Sequence, residues 1–194
     1  MDKGSVNMTK VVLFGDSLTA GVVDGQPSPV FTRLLEDKFP EVTFVNRGLP
    51  GDQTRNAVNR LRFDVLTEAP DLVVIFFGTN DVSSKDVFLA NYHNNLAYML
   101  TSISPNKCVL ITPGISGPTR QNMRPLSKMQ QYAEETLQVA KEFDIPALDW
   151  FSYSKDKDPH QMLQDDDLHY SPFAYQQLVD LLEPLLQKKL NNTF

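Results

Sequence analysis

Apolar runs and amphipathic segments alternate along the chain from end to end. Val11-Val12-Leu13-Phe14 reads as a short buried strand that ends at Gly15. Phe31, Leu34, Leu35 and Lys38 recur at helical spacing and predict a helix from Val30 to Phe39. Val42 to Val45 is a second strand, and Val58, Leu61 and Val65 form one stripe of a helix over about Thr54 to Thr67. The strongest strand is Leu72-Val73-Val74-Ile75-Phe76-Phe77, apolar on both faces, as the central strand of a covered parallel sheet must be. Helices over Val87 to Ile103 and Leu126 to Phe143 lead into strands at Val109-Ile111 and Pro146-Leu148. A last helix runs from Pro172 to about Leu190, with Pro184 as a kink or break.

Five strands separated by helices imply βαβ units and a parallel sheet with helices on both faces. The expected fold is α/β: a three-layer α/β/α sandwich, with residues 1–194 forming one domain. No repeat, low-complexity tract or linker divides the chain. The segment from Pro113 to Pro125, with three prolines and two glycines, reads as a long loop after a strand's carboxyl end. Open α/β sheets place their ligand sites at that edge, so the loop is a candidate lid.

Composition narrows the class. Hydrophobic residues make up 41% and charged residues 22%, as in globular proteins. The formal charge is -6, with no basic run, which argues against a nucleic-acid partner. Met1 to Asn7 lacks the apolar stretch of a secretory signal. No window approaches the roughly 18 apolar residues of a membrane span. The expectation is a cytoplasmic protein with no integral membrane segment. Cys108, the single cysteine, falls in an apolar strand and reads as a core residue rather than a thiol nucleophile.

Candidate chemistry lies at the strand ends. Phe14-Gly15-Asp16-Ser17-Leu18-Thr19-Ala20-Gly21 sits where the first strand yields to a turn, so Ser17 projects from the sheet's carboxyl edge. A Gly-Asp-Ser turn can equally be a helix cap. A serine hydroxyl is a weak nucleophile until a base takes its proton, and there are three histidines. His93 lies within a helical stretch and reads as a surface or packing residue; His160 lies in a loop. His169 stands directly before the last helix in Asp166-Asp167-Leu168-His169. A carboxylate three residues earlier can fold back onto Nδ1, fix the tautomer and stabilise the imidazolium. The competing reading is a helix start with Ser171 as cap, Pro172 at its first position, and His169 incidental.

Acyl transfer also needs donors for an oxyanion. Gly51, in Gly48-Leu49-Pro50-Gly51-Asp52, can bring a backbone N–H close to substrate, and Asn80, in Gly78-Thr79-Asn80-Asp81, can present a side-chain N–H. Each also serves as ordinary turn chemistry.

Gly-Asp-Ser-Leu at 15–18, Gly51, Gly-Thr-Asn-Asp at 78–81 and Asp-x-x-His at 166–169 occur in order and resemble the four signature blocks of the SGNH hydrolases, the GDSL esterases and lipases. The resemblance runs from residue 11 to about 185. It implies a flavodoxin-like sheet and two-step cleavage of a small-molecule carboxylic ester through an acyl-enzyme on Ser17. His169 is then general base and general acid, with Asp166 orienting it. The backbone N–H groups of Ser17 and Gly51 and the Asn80 side chain form the oxyanion hole. No metal or cofactor is expected.

Narrower chemistries on the same machinery are a sugar O-acetyl esterase, a thioesterase and a lysophospholipase. A non-catalytic binding module in the same crevice is the reading from another class, although such a module has no need of all four blocks. A nucleotide binder is disfavoured because the first turn lacks both a Walker-type lysine and Gly-x-Gly-x-x-Gly. One departure is Asp167, where the family often has Gly; it and Asp165 are competitors of Asp166, and a second carboxylate beside His169 would favour its charged form. Phe31, Met123, Met129 and Phe173 are candidates for an apolar acyl wall, set against ordinary core packing. Arg120 and Arg124 can meet an anionic headgroup, set against simple surface solvation.

Overall fold

A computed structural model describes residues 9–191; the Met1–Asn7 stretch lies outside them. The sheet has five parallel strands: β1 (Thr9–Gly15), β2 (Val42–Gly48), β3 (Leu72–Phe76), β4 (Cys108–Ile111) and β5 (Ala147–Leu148). Their order is β2-β1-β3-β4-β5. Val11 to Phe14 and all of β3 are buried, so the continuous apolar runs are the strands covered on both faces.

Eight α-helices are described: α1 (Ser17–Ala20), α2 (Val30–Lys38), α3 (Thr54–Asp64), α4 (Leu89–Ile103), α5 (Leu126–Glu142), α6 (Trp150–Ser154), α7 (Pro159–Met162) and α8 (Pro172–Asn191). α2 packs against α8, while α3, α4 and α5 pack in series, which gives the expected three layers. Among the described residues no helix is long and apolar enough to cross a membrane.

The chain leaves β1 for the edge strand β2, then crosses back to form β3 on the other side of β1. Connections from β1 and β3 therefore diverge, and a crevice opens at their carboxyl ends. Ser17 follows β1 and Asn80 follows β3, so topology alone brings these two segments to the crevice.

Several boundaries differ from expectation. β2 continues through Asn46 and Arg47 to Gly48, because Asn46 finds polar partners: Nδ2 donates to Thr19 O (2.7 Å) and Thr32 Oγ1 (2.9 Å). α3 stops at Asp64, and a 3-10 turn at Leu66–Glu68 takes up the remainder. Ala69 is then left-handed (φ 49°) and is followed by Pro70, which disfavours a helical residue before it. α8 runs uninterrupted through Pro184, which lies on its exposed side, where the backbone bond a proline forfeits costs least. α1, α6 and α7 have five residues or fewer, too short to establish a helical period.

Close approach at the carboxyl edge depends on paired glycines. Gly15 and Gly48 are register partners on β1 and β2. A Cβ on Gly48 would lie 2.2 Å from the Ala20 backbone nitrogen, and one on Gly15 would lie 2.5 Å from Phe76 O. At Gly48 the obstacle is α1 backbone, and at Gly15 it is the Thr19 side chain of α1 as well as Phe76 O, so α1 can lie this close to the sheet only where both positions lack a side chain. Asp81, beyond β3, ties down the start of α3: its Oδ1 accepts from Thr54 N (2.9 Å) and Thr54 Oγ1 (2.5 Å). Its Oδ2 is buried and among the described residues has no hydrogen-bond partner.

Two outcomes are expected. Gly48→Ala forces α1 away from β2 and destabilises the fold by about 1–3 kcal/mol, the usual range for overpacking. An unchanged urea midpoint would contradict the close approach described. Desolvation by burial pushes the Asp81 carboxyl up to about 6 from an ordinary 3.8, against the opposing Thr54 hydrogen bonds. The folded chain thus holds this proton more tightly than the unfolded one. Stability falls as pH rises from about 4 to about 6, and the penalty is complete above that window. Asp81→Asn keeps the Thr54 bonds without the ionisation, so its stability–pH curve should be flatter there. Parallel curves for parent and variant, measured by urea denaturation from pH 4 to 8, would exclude Asp81 as the source.

Candidate active site

β1 ends at Gly15, and Asp16 caps α1 by accepting from Leu18 N at Oδ1 (2.9 Å). Ser17 is the first residue of α1 and only 7% exposed. The helix stops after one turn at left-handed Gly21 (φ 72°). Burial raises the Asp16 carboxyl to about 7; the Leu18 amide and Arg124 oppose the shift, and the charges of Asp81 and Asp52 add to it. A carboxyl that changes charge near neutrality thus stands next to the candidate nucleophile.

The turn after β2 is anchored by Leu49 N donating to Gly15 O (3.0 Å) and Asp52 N donating to Leu49 O (3.1 Å). Gly51 adopts φ 78°, which favours glycine on conformational grounds, and nothing lies within 4 Å of where its Cβ would be. Its backbone faces open space that a substrate can enter. Asp52, by contrast, is buried and held by Arg60 Nε at 2.7 Å. Arg60 also donates to Gly15 O (2.9 Å), Arg47 O (2.9 Å) and Asp64 (2.8 Å), and lies 4.4 Å over the Phe14 ring. This one guanidinium fastens the ends of β1 and β2 to the Gly51 turn. Its bond to Gly15, 45 positions away, leaves no local signal in the sequence.

Asn80 joins the first three blocks. Its Nδ2 donates to Asp16 Oδ2 (3.2 Å) and Asp52 O (3.0 Å), and its Oδ1 accepts from Arg124 (3.1 Å). Both amide hydrogens are therefore engaged within the protein. Arg124 is 7% exposed, contrary to the expectation of a solvated surface residue, and its Nε also donates to Thr79 O (2.9 Å).

The fourth block is a tight turn. Asp166 Oδ1 accepts from Leu168 N (3.0 Å) and His169 N (2.9 Å), and Oδ2 lies 2.5 Å from His169 Nδ1. Desolvation acts to raise the Asp166 carboxyl, but the His169 backbone and ring bonds and the Leu168 bond outweigh it and hold the group below its ordinary value. Ser171 does cap α8, accepting from Ala174 N (3.1 Å), so capping and the Asp166–His169 pair coexist.

Asp167 does not compete for the imidazole. It is left-handed (φ 59°), which explains why glycine suits this position and why Asp, tolerant of that region, can replace it. Its carboxylate accepts from Thr119 N (2.9 Å), the cause that chiefly lowers its pKa, and its carbonyl accepts from Gly117 N (2.8 Å). Arg120 Nε adds a bond to Asp166 O (2.9 Å). The Pro113–Pro125 loop is thereby stapled to the His169 turn. Asp165 is exposed.

Gln164 links this turn to the Ser17 side. It donates from N to His169 O and from Nε2 to Val22 O, each at 2.8 Å, and accepts from Asp24 N (3.1 Å). Tyr175 of α8 donates to Leu18 O (2.9 Å). Among the described residues, no hydrogen bond joins Ser17 Oγ directly to His169.

Of the acyl-wall candidates, Phe31 and Met129 are fully buried core residues, while Met123 and Phe173 are 51% and 39% exposed. His93 Nδ1 pairs with Glu135 (2.6 Å), and His160 lies within the short α7 rather than in a loop. Burial pushes the Cys108 thiol up to about 12, which suits a core residue. A cavity of about 680 Å³, lined by Asp71, Asn106, Lys107 and Asp144 among others, opens at the amino ends of the strands, away from this site.

The model of the GDSL-like lipase/acylhydrolase family matches residues 13–177. An isoamyl acetate-hydrolyzing esterase 1 homolog from Rattus norvegicus is 31% identical, over 94% of this chain and 83% of its own. An acetylxylan esterase from Geobacillus stearothermophilus is 32% identical over 56% of this chain and 55% of its own. The crystal structure of a lipase/acylhydrolase from Enterococcus faecalis superposes with a TM-score of 0.88 at 34% identity, covering 95% of this chain and 97% of that one. The chain belongs to the GDSL-like lipase/acylhydrolase family.

Proposed function

We propose that this protein hydrolyses small carboxylic esters by two-step acyl transfer, with Ser17, His169 and Asp166 as its catalytic residues. The observation that carries the reading is the 2.5 Å contact between Asp166 Oδ2 and His169 Nδ1. A carboxylate that close keeps the proton on Nδ1, leaving Nε2 with the lone pair a base requires. Two backbone bonds onto the other oxygen of Asp166 prevent it from turning away.

His169 Nε2 takes the proton of Ser17 as Oγ attacks the ester carbonyl. The carbonyl π electrons move onto oxygen, which the N–H groups of Ser17 and Gly51 and the amide of Asn80 stabilise. Collapse of the intermediate expels the alcohol, which leaves with the proton from His169. Water then attacks the acyl-enzyme by the same route and releases the acid. Because both Asn80 hydrogens are engaged, one bond is exchanged for the oxyanion. The 3.2 Å bond to Asp16 is longer than the 3.0 Å bond to Asp52 O and is the one exchanged.

For substrate, a short acyl group on an apolar alcohol is the class we favour. The relatives named above act, by their names, on isoamyl acetate and on acetylxylan. Leu49 after β2, Met123 after β4 and Phe173 at the start of α8 are exposed apolar side chains on segments that follow sheet carboxyl ends or the His169 turn. They supply hydrophobic contact for an alkyl alcohol, where a sugar would call for polar partners.

The test is hydrolysis of nitrophenyl esters from acetate to palmitate, with isoamyl acetate and acetylated xylose as competing natural-type substrates. Activity highest on acetate, preference for isoamyl acetate, and loss in Ser17→Ala are expected. Preference for the sugar would replace the alcohol assignment with carbohydrate deacetylation. Full activity in Ser17→Ala, or a parent inactive on every ester, would overturn the mechanism. Asn80→Ala should lower kcat by about a hundredfold or more, the usual cost of one oxyanion donor.

A further inference from the structure

The reading of Asn80 as an oxyanion donor raises a question of direction. The two ends of a carboxamide are nearly the same size, and rotation by 180° about its last torsion exchanges acceptor for donors. Only the NH₂ end can stabilise an oxyanion; the carbonyl end would repel it. Surrounding partners must therefore decide which end faces the crevice.

We infer that Arg124 is the positioning residue that fixes the Asn80 carboxamide in its donor orientation. The inference rests on Asn80 being an oxyanion donor. Arg124 donates from one terminal nitrogen to Asn80 Oδ1 (3.1 Å) and from Nε to Thr79 O (2.9 Å), so one planar fork grips two consecutive residues of the loop after β3. A guanidinium has no acceptor. If Asn80 flipped, its NH₂ would meet N–H groups on the Arg124 side, while its oxygen would meet the Asp16 carboxyl and the Asp52 carbonyl. Both sides of the flipped state are mismatched.

Arg124 is itself well anchored. Its backbone N–H donates to Arg120 O (2.8 Å), its carbonyl accepts from Ser116 Oγ (2.8 Å), and the residue is 7% exposed. During the reaction, one Nδ2 hydrogen can leave Asp16 for the oxyanion while Arg124 retains Oδ1. The amide then swings without inverting. Lysine, whose three donors radiate from one nitrogen on a flexible stem, lacks the rigid fork that spans Thr79 O and Asn80 Oδ1. Arg124 lies outside all four motif blocks, at the end of the Pro113–Pro125 loop, and acts through Asn80 rather than on the substrate.

The experiment is a double-mutant cycle on nitrophenyl acetate with parent, Arg124→Met, Asn80→Ala and the double variant; Arg124→Lys is a second probe. Arg124→Met should lower kcat about 10–100-fold with KM little changed, because misplacing a transition-state donor leaves ground-state binding alone. Arg124→Lys should fall between it and the parent. In the Asn80→Ala background Arg124→Met should cost almost nothing more, since no amide remains to be oriented. A role in folding alone predicts the same factor in both backgrounds together with a lowered melting temperature, and that result would overturn the inference. So would an unchanged kcat in Arg124→Met. Should Arg124→Met fail to fold, the same cycle run with Arg124→Lys decides the matter. An Asn80→Ala variant as active as the parent would remove the oxyanion reading itself, and this inference with it.

Discussion

The carboxamide of Asn80 is the point on which the site depends. Its donors reach Asp16 after β1 and the Asp52 carbonyl after β2, its acceptor takes Arg124 from the loop after β4, and its own backbone follows β3. One planar group thus holds four strand ends at fixed relative positions. Because it is buried, each of these bonds replaces water that cannot reach the group, and losing one partner leaves an uncompensated polar atom. The crossover between β1 and β3 makes the crevice; Asn80 sets its dimensions.

Around that group the protein buries several charges, and they are arranged in opposition. Arg60 neutralises Asp52 while its other donors go to the Gly15 and Arg47 carbonyls and the Asp64 carboxylate. Asp16 and Asp81 have no ion pair among the described residues and are pushed toward neutrality by burial, with Arg124 opposing the shift at Asp16. Isolated buried carboxylates are costly. A fold selected for stability alone would replace them with apolar groups, so their presence behind Ser17 marks a region shaped by chemistry.

Much of this was legible in the sequence, for physical reasons that also explain what was not. The β1 and β3 runs are apolar on both faces, and only a covered sheet accepts that pattern. Asp166 and His169 are three positions apart, so their pairing is a local property of a turn. Arg60 reaches Gly15, and Arg124 reaches Thr79, only through the tertiary fold, 45 positions away in each case, and each reads in sequence as an ordinary charged residue. Asn46 and Arg47 extend β2 although they are polar, because their neighbours supply bonds and not burial. Residue type could not separate Phe31 and Met129, which fill the core, from Met123 and Phe173, which reach solvent. Nor does a side chain announce the sign of its φ, so Asp167 looked like a rival to Asp166 when it serves as the hinge pin of a neighbouring loop.

That pin has a consequence for how such an enzyme can change its substrate range. The Pro113–Pro125 loop and the His169 turn share the Asp167, Thr119, Gly117 and Arg120 bonds, so they behave as one body. An insertion or redesign on this flank would disturb the pitch of the imidazole along with the shape of the wall. On the other flank the Leu49 side chain is half exposed, but its turn also carries Gly51 and Asp52, which Arg60 and Asn80 hold. A change of substrate range is therefore easiest by substituting the Leu49 side chain itself, which leaves the backbone of that turn and the Asp166–His169 pair in place.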